Sequence, residues 1–251
     1  MSHAAAVLPF VRTGLVPSAL VIGSMVPDAP YFVPTGISSA STHAAAGIVS
    51  VDVVLGLLVF LVWHQWLAPA AVALAPHAVR DRLAPELPVP LRRHLGSVKA
   101  VLLVLVSLAL GAATHVLWDA FAHDGRWGTD HIAWLRAEHG PLRGYTWVQY
   151  AGGALGLAAL FLYLASWWMR TPPRPGRQRV PALGRRAAIT GAAVIAACFL
   201  VGAAAGLAVE ARDSTLWRAA FRSVTWGGGA AVGGALLVAA GLTPRLRSAT
   251  P

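Results

Sequence analysis

Polar residues are rare along most of this chain, and the apolar ones gather into long blocks at 48–67, 98–121, 147–168 and 187–209. Each is about 20 residues, the length at which a helix crosses a hydrocarbon core of about 30 Å. A fifth block, 224–242, is nearly as long but rich in glycine. Residues 1–27 are also apolar, yet Pro9, Arg12, Gly14 and Pro17 interrupt them. That interruption predicts short or re-entrant helices, whose backbone persists only where protein or water satisfies it. No basic region precedes this stretch and no clear cleavage pattern follows it, so a cleaved signal peptide is not expected. The pattern predicts an all-α integral membrane protein with about five transmembrane helices plus N-terminal short or re-entrant helices. An N-terminal membrane domain, 1–147, holds the candidate chemistry, and 148–251 supplies C-terminal helix pairs.

Composition excludes the soluble alternative. The 251 residues are 57% hydrophobic and 12% charged, about half the charged share of an ordinary soluble domain. The net charge of +10 would suggest a nucleic-acid partner, but its distribution says otherwise. Arg80, Arg82, Arg92, Arg93 and Lys99 lie between the first two spans, and Arg170, Arg174, Arg177, Arg179, Arg185 and Arg186 between the third and fourth. If every span crosses, these and Arg245 and Arg247 share one side, which the positive-inside rule assigns to the cytoplasm. The remaining basic residues, among them Arg126, Arg136, Arg143 and Arg212, are partly balanced by Asp124, Asp130, Glu138, Glu210 and Asp213. The basic excess is thus a topology signal. The expected partner is the lipid bilayer of a plasma (inner) membrane, with no nucleic acid. Trp63, Trp66, Trp167 and Trp168 mark the cytoplasmic ends of spans, and Tyr145, Trp147 and Trp226 the outer ends.

Against this background three ionisable residues stand out. His115, Asp119 and His123 follow one another in steps of four at the end of the second span. Each such step drifts only about 40° around a helix, so all three project from one stripe. Ionisable groups at membrane depth are costly unless they pair, coordinate or face water. Two imidazoles and a carboxylate are metal-ligand chemistry. On a straight helix His115 and His123 stand about 12 Å apart, too far to share one ion. Either Asp119 bridges two ions about 3.5–4 Å apart, or the helix ends near Phe121, as Asp124-Gly125 suggests, and His123 folds back. One helix supplies too few ligands in both cases, since zinc takes three or four. The orientation above places the N-terminal segment on the same outer face, where His3, Asp28 and His43 are the natural supplement. Asp52, one to two turns inside the first span, is a candidate to orient His43.

The rest of the chain is plainer. Prolines crowd 68–97 and a Pro/Arg linker occupies 170–186, solvated or lying on anionic headgroups. Gly202 and Gly206, then Gly227, Gly228, Gly229, Gly233 and Gly234, predict close packing of the last two spans. Cys198 is alone, so no intramolecular disulfide forms.

The segments SHAAAVLPF, IGSMVPDAPYF, STHAAAG and GAATHVLWDAFAH resemble the bacterial membrane family known as domain of unknown function 4184. That pattern is similar in turn to membrane-bound metal-dependent hydrolases and, more remotely, to the zinc-dependent phospholipase C and P1 nuclease group. The resemblance implies the ligand order His3, Asp28, His43, His115, Asp119, His123, with zinc ions activating water against a phosphoester. The group's later HxxxE pair has no counterpart, since Glu138 directly precedes His139.

The sequence therefore leads to a membrane-bound metal-dependent hydrolase at the extracytoplasmic face, acting on phosphoester or lipid-type substrates. It carries one or two divalent ions, with zinc the implied metal. Asp119 and Asp28 are its catalytic carboxylates, and Arg126, Arg143 and His131 are candidates to meet the substrate. The alternative is a non-enzymatic membrane scaffold, or a transporter of metal or protons.

Overall fold

A computed structural model describes residues 3–210 and 215–248. Arg212 and Asp213, used above in the charge reading, lie outside the described residues, as does the side chain of Arg247. The chain is an all-α membrane protein. Five helices are long and apolar enough to cross a membrane: Ala45–Leu74, Val98–His131, Gly144–Arg170, Arg185–Glu210 and Leu216–Leu246. The only strands among the described residues are the two-residue pair Glu138–His139 and Leu142–Arg143.

The interrupted N-terminus forms short helices, His3–Ala6, Leu8–Phe10 and Pro17–Gly23, the last of which we call α1. Pro17 suits its first turn, where a missing N–H costs nothing. α2, Ala45–Leu74, passes through a π-helical turn at Trp63–Leu67. Pro69 explains the wider turn, because its ring would clash with the carbonyl four residues back in a regular helix. α3, Val98–Ala122, begins where the Ser97 hydroxyl accepts from the Ala100 N–H. It ends at His123, which has extended backbone, and Gly125 then turns the chain with a φ of +65°. α4 is Gly144–Arg170, α5 Arg185–Glu210 and α6 Leu216–Ser248.

The chain packs as two compact units. The first holds Asp28 and the residues before it, Ile37–Phe60 and His94–Arg170. Its core is the contact of α1 with α3. A Cβ on Gly23 would collide with the Leu108 carbonyl, and one on Gly111 with the Leu20 carbonyl, so the two backbones touch only because both residues are glycine. Leu20, Leu108 and Ala112 are fully buried around that contact. Ser107 fastens the other end of α1, its hydroxyl accepting from the Val16 N–H at 3.0 Å. Farther along, Gly152 of α4 makes room for the Trp118 ring.

The second unit holds Ala29–Gly36, Leu61–Arg93 and the residues from Thr171 on. Here α5 and α6 pair along their glycines. A Cβ on Gly202 would stand 2.5 Å from the Trp226 carbonyl, and one on Gly206 2.7 Å from that of Arg222. Cys198 lies against Gly234.

Candidate metal centre

Every residue of the candidate centre belongs to the first unit. Ser107, Gly111, His115 and Asp119 form one buried stripe of α3 in steps of four. The small residues of that stripe admit α1, and the end of α1 delivers Ser24 beside His115. His115 Nδ1 donates to the Ser24 carbonyl at 2.8 Å, which fixes the ring and turns Nε2 into the cluster. The ring is fully buried.

His43 is set the same way by different means. Ser38 caps the turn Ser39–Thr42, its hydroxyl accepting from the Ser41 N–H, and His43 ends that turn. Its Nδ1 donates to the Ser39 carbonyl at 2.8 Å, which leaves Nε2 free to face the cluster. Thr42 donates its hydroxyl to the Pro27 carbonyl at 2.8 Å, tying the segment that carries Asp28 to the turn that carries His43. His3, from the first short helix, stacks on His115 with ring centroids 3.7 Å apart. His123 folds back because α3 stops at Ala122, and its Nε2 meets Gln149 of α4 at 3.1 Å.

Four of the side chains, those of His3, His43, His115 and His123, converge on Asp119. Its Oδ2 lies 3.3 Å from His43 Nε2 and 3.4 Å from His115 Nε2. Its Oδ1 lies 3.6 Å from His3 Nε2 and 3.4 Å from His123 Nδ1. Asp28 Oδ1 completes the first set, 3.5 Å from His115 Nε2 and 3.7 Å from His43 Nε2. Donor atoms of Asp28, His43, His115 and Asp119 all fall within 4.8 Å of one another, so these four can hold a metal ion.

The donor set fits a cation better than it fits a hydrogen-bond network. Charge-assisted N–H···O bonds close to about 2.7–2.9 Å, and none of these pairs does. Two ligands on one tetrahedral ion, each about 2.0–2.1 Å from it, stand about 3.3–3.4 Å apart. His115 Nε2, Asp119 Oδ1 and His123 Nδ1 are buried without a hydrogen-bond partner among the described residues. Such orphans are costly unless something positive lies among them.

Two of the ligand candidates, His3 and Asp28, lie outside the spans and have shifted titrations. Burial, then the neighbouring His115, lowers the His3 pKa to about 4, so its imidazole is neutral at physiological pH. Burial would raise the Asp28 carboxyl, but the facing His115 side chain outweighs it and Asp28 lies below its ordinary value. A neutral imidazole and an ionised carboxylate are what a metal requires. The cluster has a closed wall and an open side. His115, His43 and Asp119 have side chains 0%, 2% and 6% exposed, whereas Asp28 is 32% and His123 42% exposed.

The chain belongs to the DUF4184 family. The family, described as a domain of unknown function, matches residues 1–240. No curated protein and no solved structure matches the chain.

Within this DUF4184 chain, the six residues singled out in sequence, His3, Asp28, His43, His115, Asp119 and His123, are brought together. Asp52 is also buried, 1% exposed, with neither carboxylate oxygen hydrogen-bonded among the described residues. It is close enough to His43 and His115 to interact with both electrostatically. The remaining candidates lie outside the cluster. His131 is exposed, stacks on Trp127 and bonds to that residue's carbonyl, Arg143 is exposed in the short strand pair, and Arg126 is half-buried before the turn Trp127–His131. Sequence reasoning missed the Ser24 and Ser39 carbonyls, Gln149, and the Gly23–Gly111 contact. A signal existed for the last, because Ser107, Gly111 and Ala112 put small residues on the ligands' own face of α3.

Proposed function

We propose that this protein is a membrane-embedded, metal-dependent hydrolase acting on phosphoester or lipid-type substrates at the extracytoplasmic face. The observation that carries the reading is the closeness of the Asp28, His43, His115 and Asp119 donors, all within 4.8 Å of one another and so able to share one ion. Asp28, His43, His115 and Asp119 would hold a first ion. His3 and His123, on the Oδ1 side of Asp119, would serve a second. A divalent ion such as zinc supplies Lewis acidity toward a phosphoryl or acyl oxygen and lowers the pKa of water.

The protein's own contribution is position and proton transfer. Asp119 is the buried anchor whose two oxygens serve both sets. Asp28 stands on the open side, where a carboxylate can take the proton of an attacking water. Asp52 adds negative charge behind His43 and steadies it for binding a cation. Arg126 and Arg143, from the segment between α3 and α4, would meet the anionic part of a substrate, with His131 of the same segment a further candidate. The basic loops between spans support an outward orientation of the centre.

A lipid-extract screen read by mass spectrometry, wild type against His115→Ala, tests the reading. One phosphoester-bearing lipid class should be consumed by the wild type and left intact by the variant. Identical profiles across all lipid and soluble phosphoester classes, with the wild type fully metal-loaded, would overturn the hydrolase.

A further inference from the structure

In the second unit the segment after α4 is not a solvated tether. Arg80, a residue 6% exposed, donates from its guanidinium to the Val72 carbonyl at 2.7 Å and to the Val180 carbonyl at 2.6 Å. The Leu183 N–H bonds to the Ala73 carbonyl at 2.9 Å, and the Arg174 N–H to the Asp81 carbonyl at 2.5 Å. These bonds lay residues 174–183 against the end of α2 and the turn that follows it. Between that segment and residues 85–93 lies a cavity of about 320 Å³.

The chemistry of its lining is of two kinds. Three arginines, Arg92, Arg93 and Arg179, line it against a single acidic residue, Glu86. The walls are otherwise apolar, with Leu87, Val89 and Val180 among them. His64 closes one side, 8% exposed, its Nδ1 bonded to the Val89 carbonyl at 3.1 Å. Arginines from two segments nearly ninety positions apart are thus held around one hollow, and a pinned backbone keeps them there.

We propose that this cavity binds the phosphodiester headgroup of an anionic phospholipid. Guanidinium groups match phosphate oxygens as paired donors. The apolar walls suit the glycerol and the first acyl carbons, which a free phosphate would leave uncovered. The cavity lies among the basic segments that flank spans, the part of a membrane protein that meets anionic headgroups. It has no residue in common with the metal centre and stands independently of the hydrolase reading.

Native mass spectrometry of the full-length chain in mild detergent tests the proposal, with phosphatidylglycerol, phosphatidylcholine of the same acyl chains, and glycerol 1-phosphate as probes. Phosphatidylglycerol should bind about tenfold or more tighter than phosphatidylcholine, and Arg92→Gln/Arg93→Gln/Arg179→Gln should lose that margin, as expected when charge-assisted contacts are removed. Arg170→Gln/Arg185→Gln/Arg186→Gln, which removes equal charge from exposed positions outside the cavity, should keep it. Leu87→Trp, which fills the hollow and removes no charge, should weaken binding as well. Equal loss in both triple variants, or no preference in the wild type, would overturn the site. Competition by glycerol 1-phosphate as strong as by the lipid itself would overturn the lipid as its occupant.

Discussion

The Ser24 carbonyl accepts the Nδ1 proton of His115 at 2.8 Å, and that bond turns His115 Nε2 toward Asp28 and Asp119. The carbonyl is in place only because Gly23 and Gly111 let α1 touch α3. Gly111→Ala therefore acts on the centre from a distance. Its Cβ would press on the Leu20 carbonyl and the Ser24 nitrogen. The expected loss is about 1–3 kcal/mol of stability, as for overpacking, and about 10–100-fold in metal affinity, as for loss of an orienting partner. Thermal unfolding and metal titration in detergent measure the two.

The two oxygens of Asp119 predict a graded set of ligand variants. His115→Ala and His43→Ala remove donors from the buried set and should abolish tight binding of the first ion. His3→Ala and His123→Ala remove nitrogens that face only the Asp119 Oδ1 side, although His3 also stacks on His115. They should leave one ion per chain where the wild type holds two. Metal content after desalting separates these outcomes, and equal loss in all four variants would contradict a divided set.

Asp52 makes no hydrogen bond among the described residues, so its replacement removes charge with little else. Asp52→Asn should keep the fold and lower metal affinity by about tenfold, the small end of the range for groups behind a ligand. Competition with a calibrated chelator measures this. Unchanged affinity would remove Asp52 from the account.

The pH dependence follows from His3. Its folded pKa is about 4 against an ordinary 6.5, so between those values the unfolded chain takes up a proton that the folded chain does not. Stability then falls as pH drops from 6.5 toward 4 and is flat in this respect above 6.5. Asp28 adds to the acid loss only below its ordinary value near 3.8. With chelator present, the wild type should lose about 1–2 kcal/mol relative to His3→Ala between pH 7 and pH 5. Parallel pH profiles of unfolding would contradict a buried, neutral His3.

The long helices and the trio His115, Asp119 and His123 were legible because apolar length and four-residue spacing are written in side chains, whereas His3, Asp28 and His43 were reached through the charge-based orientation and the family resemblance. The fold-back of His123 was foreshadowed by Asp124-Gly125. What orients the imidazoles was not legible, since the Ser24 and Ser39 carbonyls are backbone atoms that any residue would supply. The Gly-rich C-terminal spans drew attention to close packing there, while the contact that matters to the centre rests on the lone pair Gly23 and Gly111. Arg80 shows a third limit, for its burial depends on carbonyls eight and a hundred positions away, and in sequence it reads only as one more basic loop residue.

The central claim is that Asp28, His43, His115 and Asp119 hold a metal ion. Inductively coupled plasma mass spectrometry on the full-length protein, purified without chelator and supplemented with zinc before desalting, tests it directly beside Asp119→Ala. At least one equivalent of divalent metal per wild-type chain, lost in the variant, is the predicted result. A metal-free wild type, or a variant that retains the wild-type content, would contradict it.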